Sequence, residues 1–338
     1  MPDRVRLLVN LPAGFFRTPA LRPVLARLAR MARLRRRSHD TADAIASDLA
    51  WADAVLMWSW PALTHDLIER APHLTFAGHL DLTQAAARTA LECGLKVSVA
   101  RGAWAPAVAE MALGLALATL RKTSDYHAAM RRGRETWIGV QGTFPCDLDP
   151  DERQLSGRPV GIIGFGAVGR RLAQLLRPFD GARRIYDPFP PVGVEADFHV
   201  KRAGKMELIR RSDVVFLCAA SNEGSRHVVG RREIAAFRPG AVLVNVARAA
   251  LVDTDALIER LKRGDLYAAL DVFDAEPLPA RSPLRRLPSA YLTPHRAGGI
   301  LASVVRIVEW LADDLEAHLA GRPLRFPLTE AMLPSLDR

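Results

Sequence analysis

A doubly wound α/β fold built as two parallel-sheet domains is the prediction, and three observations carry it. Short apolar runs of strand length alternate with segments of helical periodicity, the pattern that produces parallel sheets. The alternation occurs twice, on either side of a less regular stretch from Thr123 to Arg158. The 338 residues, 49% of them hydrophobic, also exceed what one core usually organises.

The first alternation opens with a strand at Val5 to Val9 and passes through a Pro/Gly loop. Leu21, Val24, Leu25, Leu28, Met31 and Leu34 then recur at three- and four-residue spacing. That spacing predicts an amphipathic helix whose solvated face carries Arg27, Arg30, Arg33, Arg35, Arg36 and Arg37. A helix over Thr41 to Leu49 and a strand from Ala54 to Trp58 follow, then a strand at Leu74 to Ala77, a helix at Thr83 to Cys93 and a strand at Lys96 to Val99. The run Val108 to Leu120 is almost wholly apolar, so it must be a helix buried on most sides.

A helical stretch through Met130 leads into a loop with Trp137, Phe144 and Pro145, an arm or linker. Six strands make up the second alternation: Val160 to Phe165, Arg184 to Tyr186, Val214 to Cys218, Val242 to Val246, Ala268 to Val272 and Tyr291 to Thr293. The last helix, Ile300 to Leu319, stops before Gly321 and Pro323.

Composition excludes several classes. No apolar run approaches the roughly 20 residues of a spanning helix, and Asn10, Pro12 and Gly14 interrupt the segment a signal peptide would need. A cytoplasmic protein with no membrane partner is therefore expected. Three cysteines, Cys93, Cys146 and Cys218, have no Cys-x-x-Cys spacing, and the nine histidines form no ligand pattern, so neither disulfides nor a metal is expected. The formal charge of +10 invites a nucleic-acid reading, but its densest segment reads as the polar face of a helix. No nucleic-acid partner is expected, and the surplus charge would attract anionic small molecules.

The sharpest local feature is GIIGFGAVGRRLAQLL, in which Gly164, Gly166 and Gly169 follow an apolar strand and open a helix. Gly164 permits the tight turn, Gly166 lets backbone approach a pyrophosphate, and Gly169 lets the helix pack on the strand. The amides of Ala167 and Val168 at the helix start then face the anion. Eighteen residues past Gly169, Asp187 ends the next strand, where a carboxylate accepts both adenine-ribose hydroxyls and repels a 2′-phosphate. The cofactor expected is NAD, with NADP disfavoured, although Arg183 and Arg184 stand close by. Six strands is the number a complete dinucleotide-binding domain uses.

Later strands deliver polar residues at their carboxyl ends, the edge where an open parallel sheet binds ligands. VLVNV runs into Ala247 and Arg248, AALDV carries Asp271 and leads to Glu276, and YLT leads to Pro294 and His295. An Arg, a Glu and a His are thus predicted on one rim.

Five segments, VAEMALGLALATLRK, GRPVGIIGFGAVGRRLA, VLVNVARAALVD, AALDVFDAEPLP and LTPHRAG, occur in order from Val108 to Gly298. Together they resemble the D-isomer-specific 2-hydroxyacid dehydrogenases, a family that includes glyoxylate/hydroxypyruvate reductases, phosphoglycerate dehydrogenases and formate dehydrogenases. The resemblance implies catalysis by Arg248, Glu276 and His295, with hydride exchanged between NAD(H) and a small 2-hydroxy or 2-keto acid. His295 would act as acid/base, Glu276 would stabilise its imidazolium, and Arg248 would hold the substrate carboxylate. Asp271 would meet the nicotinamide end of the cofactor.

The resemblance further implies a Rossmann NAD-binding domain, residues 120–295, inserted into a flavodoxin-like substrate domain, residues 1–119 and 296–338. It implies a homodimer formed through the arm. Its glycine loop, whose amides hold substrate, falls near FAGHLD, so Gly78 and His79 are the substrate-binding candidates there. Trp58, Trp60 and Trp104 are candidates for an apolar pocket suited to a bulkier 2-keto acid. A non-enzymatic NAD-sensing or corepressor-like protein on the same fold is the alternative, but it would need no acid–base set; a dehydrogenase of formate or phosphite is a rival among enzymes.

Some positions depart from the family pattern. Ala249 stands where Gly usually follows the catalytic Arg, AASNEGS replaces the usual segment after the third cofactor strand, and Arg296 directly follows His295.

Overall fold

The computed structural model describes residues 4–58, 60–80, 83–100, 102–135, 148–189 and 193–335. Trp137, Phe144, Pro145 and Cys146 of the expected arm lie outside the described residues. The chain forms two compact units, residues 1–104 with 299–338, and residues 105–298.

In the first unit, β1 (Arg6–Asn10), β2 (Arg33–Arg37), β3 (Ala54–Met57), β4 (Phe76–His79) and β5 (Lys96–Ser98) form a parallel sheet ordered β2-β1-β3-β4-β5. This is the flavodoxin-like order. The helix Leu301–Leu319 turns Val304, Ile307, Val308, Leu311 and Leu315 inward, at three- and four-residue spacing, against Leu7, Val9, Leu56 and Phe76.

The basic segment is a correction. The helix spans only Arg22–Met31, Ala32 turns extended, and Arg33–Arg37 becomes the edge strand β2, paired with β1 alone. An edge strand with solvent beside it tolerates charged side chains that a central strand would reject. Buried Asp48 ties down Arg35 and Arg37, and the Arg35 guanidinium lies 3.8 Å above the Trp51 ring.

The second unit holds seven strands: β6 (Val160–Ile163), β7 (Arg183–Tyr186), β8 (Lys201–Arg202), β9 (Val214–Leu217), β10 (Ala241–Asn245), β11 (Leu266–Leu270) and β12 (Ala290–Leu292). Their order, β12-β11-β10-β9-β6-β7-β8, is the dinucleotide-binding order extended by one strand. The strand not expected is β8, whose two exposed residues are too short for any period to show.

Helix Ala105–Leu120 packs on helix Ala167–Leu175 and on β10 and β11. Only Glu110 and Gly114 of it are exposed. Its packing places it at the start of the second unit, so the observed division falls at residue 105, earlier than the 120 expected.

Candidate active site

After β6 the chain turns through Gly164 with φ +90°, and a Cβ there would lie 2.3 Å from the Ala219 amide nitrogen. Only glycine allows this approach to the end of β9, at the point where strand order reverses. A Cβ on Gly169 would lie 2.3 Å from the Gly164 carbonyl oxygen, so glycine also sets how closely helix Ala167–Leu175 meets the strand.

Gly166 differs, because nothing stands within 4 Å of its missing side chain. It caps the helix with no side-chain partner, and Gly166 and Ala167 are exposed with Val168 half-buried. An open corner at the positive end of a helix fits a pyrophosphate, whose bulk a Cβ at Gly166 would meet.

Asp187 follows β7 and faces this turn. Its Oδ2 accepts from the Phe165 amide at 2.6 Å and its Oδ1 from the Phe189 amide at 2.8 Å. The carboxylate therefore shapes both the glycine turn and its own turn, with lone pairs left for a ribose hydroxyl. Arg183 points elsewhere, donating to the Leu176 and His199 carbonyls.

Arg248, Glu276 and His295 follow β10, β11 and β12, three neighbouring strands. His295 Nδ1 lies 2.6 Å from Glu276 Oε2, while Glu276 Oε1 accepts the Phe273 amide at 2.9 Å. Burial pushes the Glu276 carboxyl up, but the His295 ring, the Phe273 amide and the charges of His295 and Arg248 outweigh it and hold the group below its ordinary value. An ionised Glu276 must accept, so Nδ1 carries a proton and Nε2 is the outward nitrogen.

Arg248 is exposed, and Asn245 fixes its backbone. Asn245, 1% exposed at the end of β10, accepts from the Ala247 amide at 3.1 Å and donates to the Arg248 carbonyl at 3.0 Å. Ala249 opens a short 3-10 turn, Ala249–Leu251, with no positive φ, so the extra Cβ adds no backbone strain.

His295 has φ +50°, a conformation costing a non-glycine residue about 1–3 kcal/mol. Asp271, wholly buried, holds it there. Its Oδ1 accepts from the Thr293 hydroxyl at 2.6 Å and the Arg296 amide at 2.8 Å, and its Oδ2 from the Ala297 amide at 2.7 Å. The His295 amide donates to the Asp271 carbonyl at 2.9 Å. The side chain expected at the nicotinamide thus has both oxygens on the turn that carries the histidine. Thr293 and Asn245 are the supporting residues the sequence reading missed; each is a polar residue ending an apolar strand, two and three positions before the catalytic residue it serves.

Gly78 lies inside β4, paired with Leu56 and Ser98. A Cβ there would meet Leu56 Cδ2 at 2.5 Å and Leu311 Cδ2 at 3.3 Å, so this glycine serves packing. His79 ends β4 at 1% exposure, with neither ring nitrogen in hydrogen-bond geometry with a partner among the described residues. Burial pushes its pKa down to about 4, with the Trp58 backbone opposing weakly. Trp58 stacks on Phe15 at 5.7 Å, and Trp58 and Trp104 pack against the first unit's core.

The family model described as D-isomer specific 2-hydroxyacid dehydrogenase, NAD binding domain, matches residues 113–297. The chain is 32% identical over 248 residues to a hydroxypyruvate reductase of Thermotoga maritima, covering 72% of this chain and 77% of that protein. It is 30% identical over 275 residues to a glyoxylate reductase of Aeropyrum pernix, covering 80% and 81% respectively. The crystal structure of an NADPH-dependent glyoxylate/hydroxypyruvate reductase from Sinorhizobium meliloti, with NADP and malonate, superposes with a TM-score of 0.74 at 25% identity, covering 99% of each chain. All three relatives are enzymes, and none supports the non-enzymatic alternative. Since the family match spans more than half of the chain and the identity to one relative runs over four fifths of it, this protein belongs to the D-isomer specific 2-hydroxyacid dehydrogenases and is an oxidoreductase.

Proposed function

We propose that the protein interconverts a small 2-keto acid and its 2-hydroxy acid, with NAD(H) as the preferred cofactor. The observation that carries this reading is the 2.6 Å His295–Glu276 pair beside Arg248. A nicotinamide dinucleotide held by its pyrophosphate on the glycine turn would supply or accept the hydride. His295 holds the proton for the keto oxygen on Nε2, because Glu276 occupies Nδ1. The Glu276 carboxylate balances the imidazolium until that proton leaves, and returns the ring to the same tautomer afterwards. The Arg248 guanidinium is a planar fork for the substrate carboxylate and polarises the neighbouring carbonyl.

NADH is favoured because Asp187 places a negative charge beside the glycine turn, and Arg183 is engaged by backbone carbonyls. A 2′-phosphate would meet that charge. The homodimer part of the reading is supported by the helix Thr123–Arg131, which buries no residue, and by exposed Tyr126, Met130 and Leu148 in the same stretch; light scattering showing a monomer would remove it.

The test is NADH oxidation against glyoxylate, hydroxypyruvate and phenylpyruvate, with NADPH in parallel. Turnover with at least one 2-keto acid is expected, with NADH preferred by about tenfold in kcat/KM, or about 1.4 kcal/mol. No turnover with any of them would overturn the reading, and equal use of NADPH would remove the role given to Asp187.

A further inference from the structure

Five arginines, Arg4, Arg33, Arg35, Arg36 and Arg37, line one concavity of about 590 Å³ along the free edge of β2. Ala29 of the helix Arg22–Met31, its C-cap Ala32 and Leu34 of β2 line it as well. Nothing in the dehydrogenase chemistry above uses it.

Among the described residues, one carboxylate is in ion-pair contact with these five cations. Asp48 meets Arg35 at 2.9 Å and Arg37 at 2.7 Å, and it also serves His39 at 2.9 Å. Arg4, Arg33 and Arg36 are exposed and have no carboxylate within ion-pair distance among the described residues. None of these three charges is therefore balanced by a carboxylate among the described residues, although Arg33 lies 5.9 Å from the Trp51 ring. Protecting an edge strand requires charge, but it does not require Arg4, from outside the strand, to line the same hollow.

We propose that this concavity binds a small polyphosphate anion, as a free chain or as a nucleotide triphosphate. The volume is that of a small-ligand site. β2, at five residues, runs about 16 Å and places Arg33, Arg35 and Arg37 on one of its faces, a span that suits a chain of phosphates better than a single one. Each planar guanidinium can grip phosphate oxygens bidentately. Asp48 and Trp51 fix Arg35 and Arg37 in place, so part of the site is ordered before the ligand arrives.

The test is calorimetric titration of the whole protein with tripolyphosphate, and in a second arm with ATP, both with saturating NADH so that the glycine turn is not the site measured. Binding is expected to weaken as salt rises from about 50 to about 200 mM. The variant R4Q/R33Q/R36Q is expected to lose affinity at least about tenfold, with keto-acid reduction unchanged. R210Q/R211Q, exposed arginines of the second unit, removes charge elsewhere and is expected to bind like the parent. Tighter binding of tripolyphosphate indicates a free chain, and tighter binding of ATP a nucleotide. Unchanged affinity in the triple variant, displacement by NADH, or about tenfold tighter binding of a short single-stranded RNA each overturns the proposal.

Discussion

Two histidines in this chain illustrate opposite uses of the same ring. His295 has a carboxylate on one nitrogen and presents the other outward, so its proton is available for transfer. His79 is buried with neither nitrogen in hydrogen-bond geometry with a partner among the described residues, and burial pushes its pKa down to about 4. The fold holds it neutral, whereas the unfolded chain protonates it below about 6.5. A base depressed in this way destabilises the fold as pH falls through that window, by about 2 kcal/mol between pH 7 and pH 5. In urea unfolding of the first unit, H79F is expected to flatten this slope; an unchanged slope would show that His79 is not its source. Glu276 has the opposite sign: held below its ordinary value, it stays ionised throughout the neutral range and loses its contribution only as pH falls through that lowered value. E276Q is therefore expected to lower kcat about a hundredfold near neutrality, and a variant with full kcat would show that the imidazolium needs no counter-charge.

At the scale of elements, the reacting groups sit on three adjacent strand ends, and the turns after those strands are fastened from beneath. Asp271 fastens the His295 turn through three hydrogen bonds and Asn245 fastens Arg248 through two. D271N keeps one side-chain oxygen as an acceptor and puts an amide donor against at least the Ala297 amide, at a cost of about 1–3 kcal/mol per unmet group. Lower kcat with near-parental NADH binding is the expected result, and a loss confined to NADH binding would instead return Asp271 to the nicotinamide. The glycine turn was legible because its determinants lie within six consecutive positions, Gly164 to Gly169. The Arg, Glu and His could be placed on one rim because each follows an apolar strand within a few residues. The bonds that Asp271 makes to the His295 turn were not legible because its partners lie 22 to 26 residues away, where no local pattern shows them. RLRRR concealed β2 for a different reason, since its four arginines read as a continuation of the preceding helix's polar face, whereas the chain turns extended at Ala32 before reaching them.

For the whole molecule, one rule builds both units: parallel strands in switched order, with helices covering the faces. In the second, Gly164 turns the chain at the switch point with φ +90° and Gly166 leaves open space where a phosphate could sit. The acid–base pair, its anchors and the candidate cofactor turn all belong to that unit, residues 105–298, so removing one catalytic group should leave nucleotide binding intact. The most direct measurement is turnover of H295A with the best 2-keto acid, paired with its NADH affinity by fluorescence titration. Turnover is expected to fall by about two to four powers of ten with NADH affinity within about threefold of the parent. A variant that binds NADH normally and keeps most of its turnover would contradict the assignment of His295 as the proton donor.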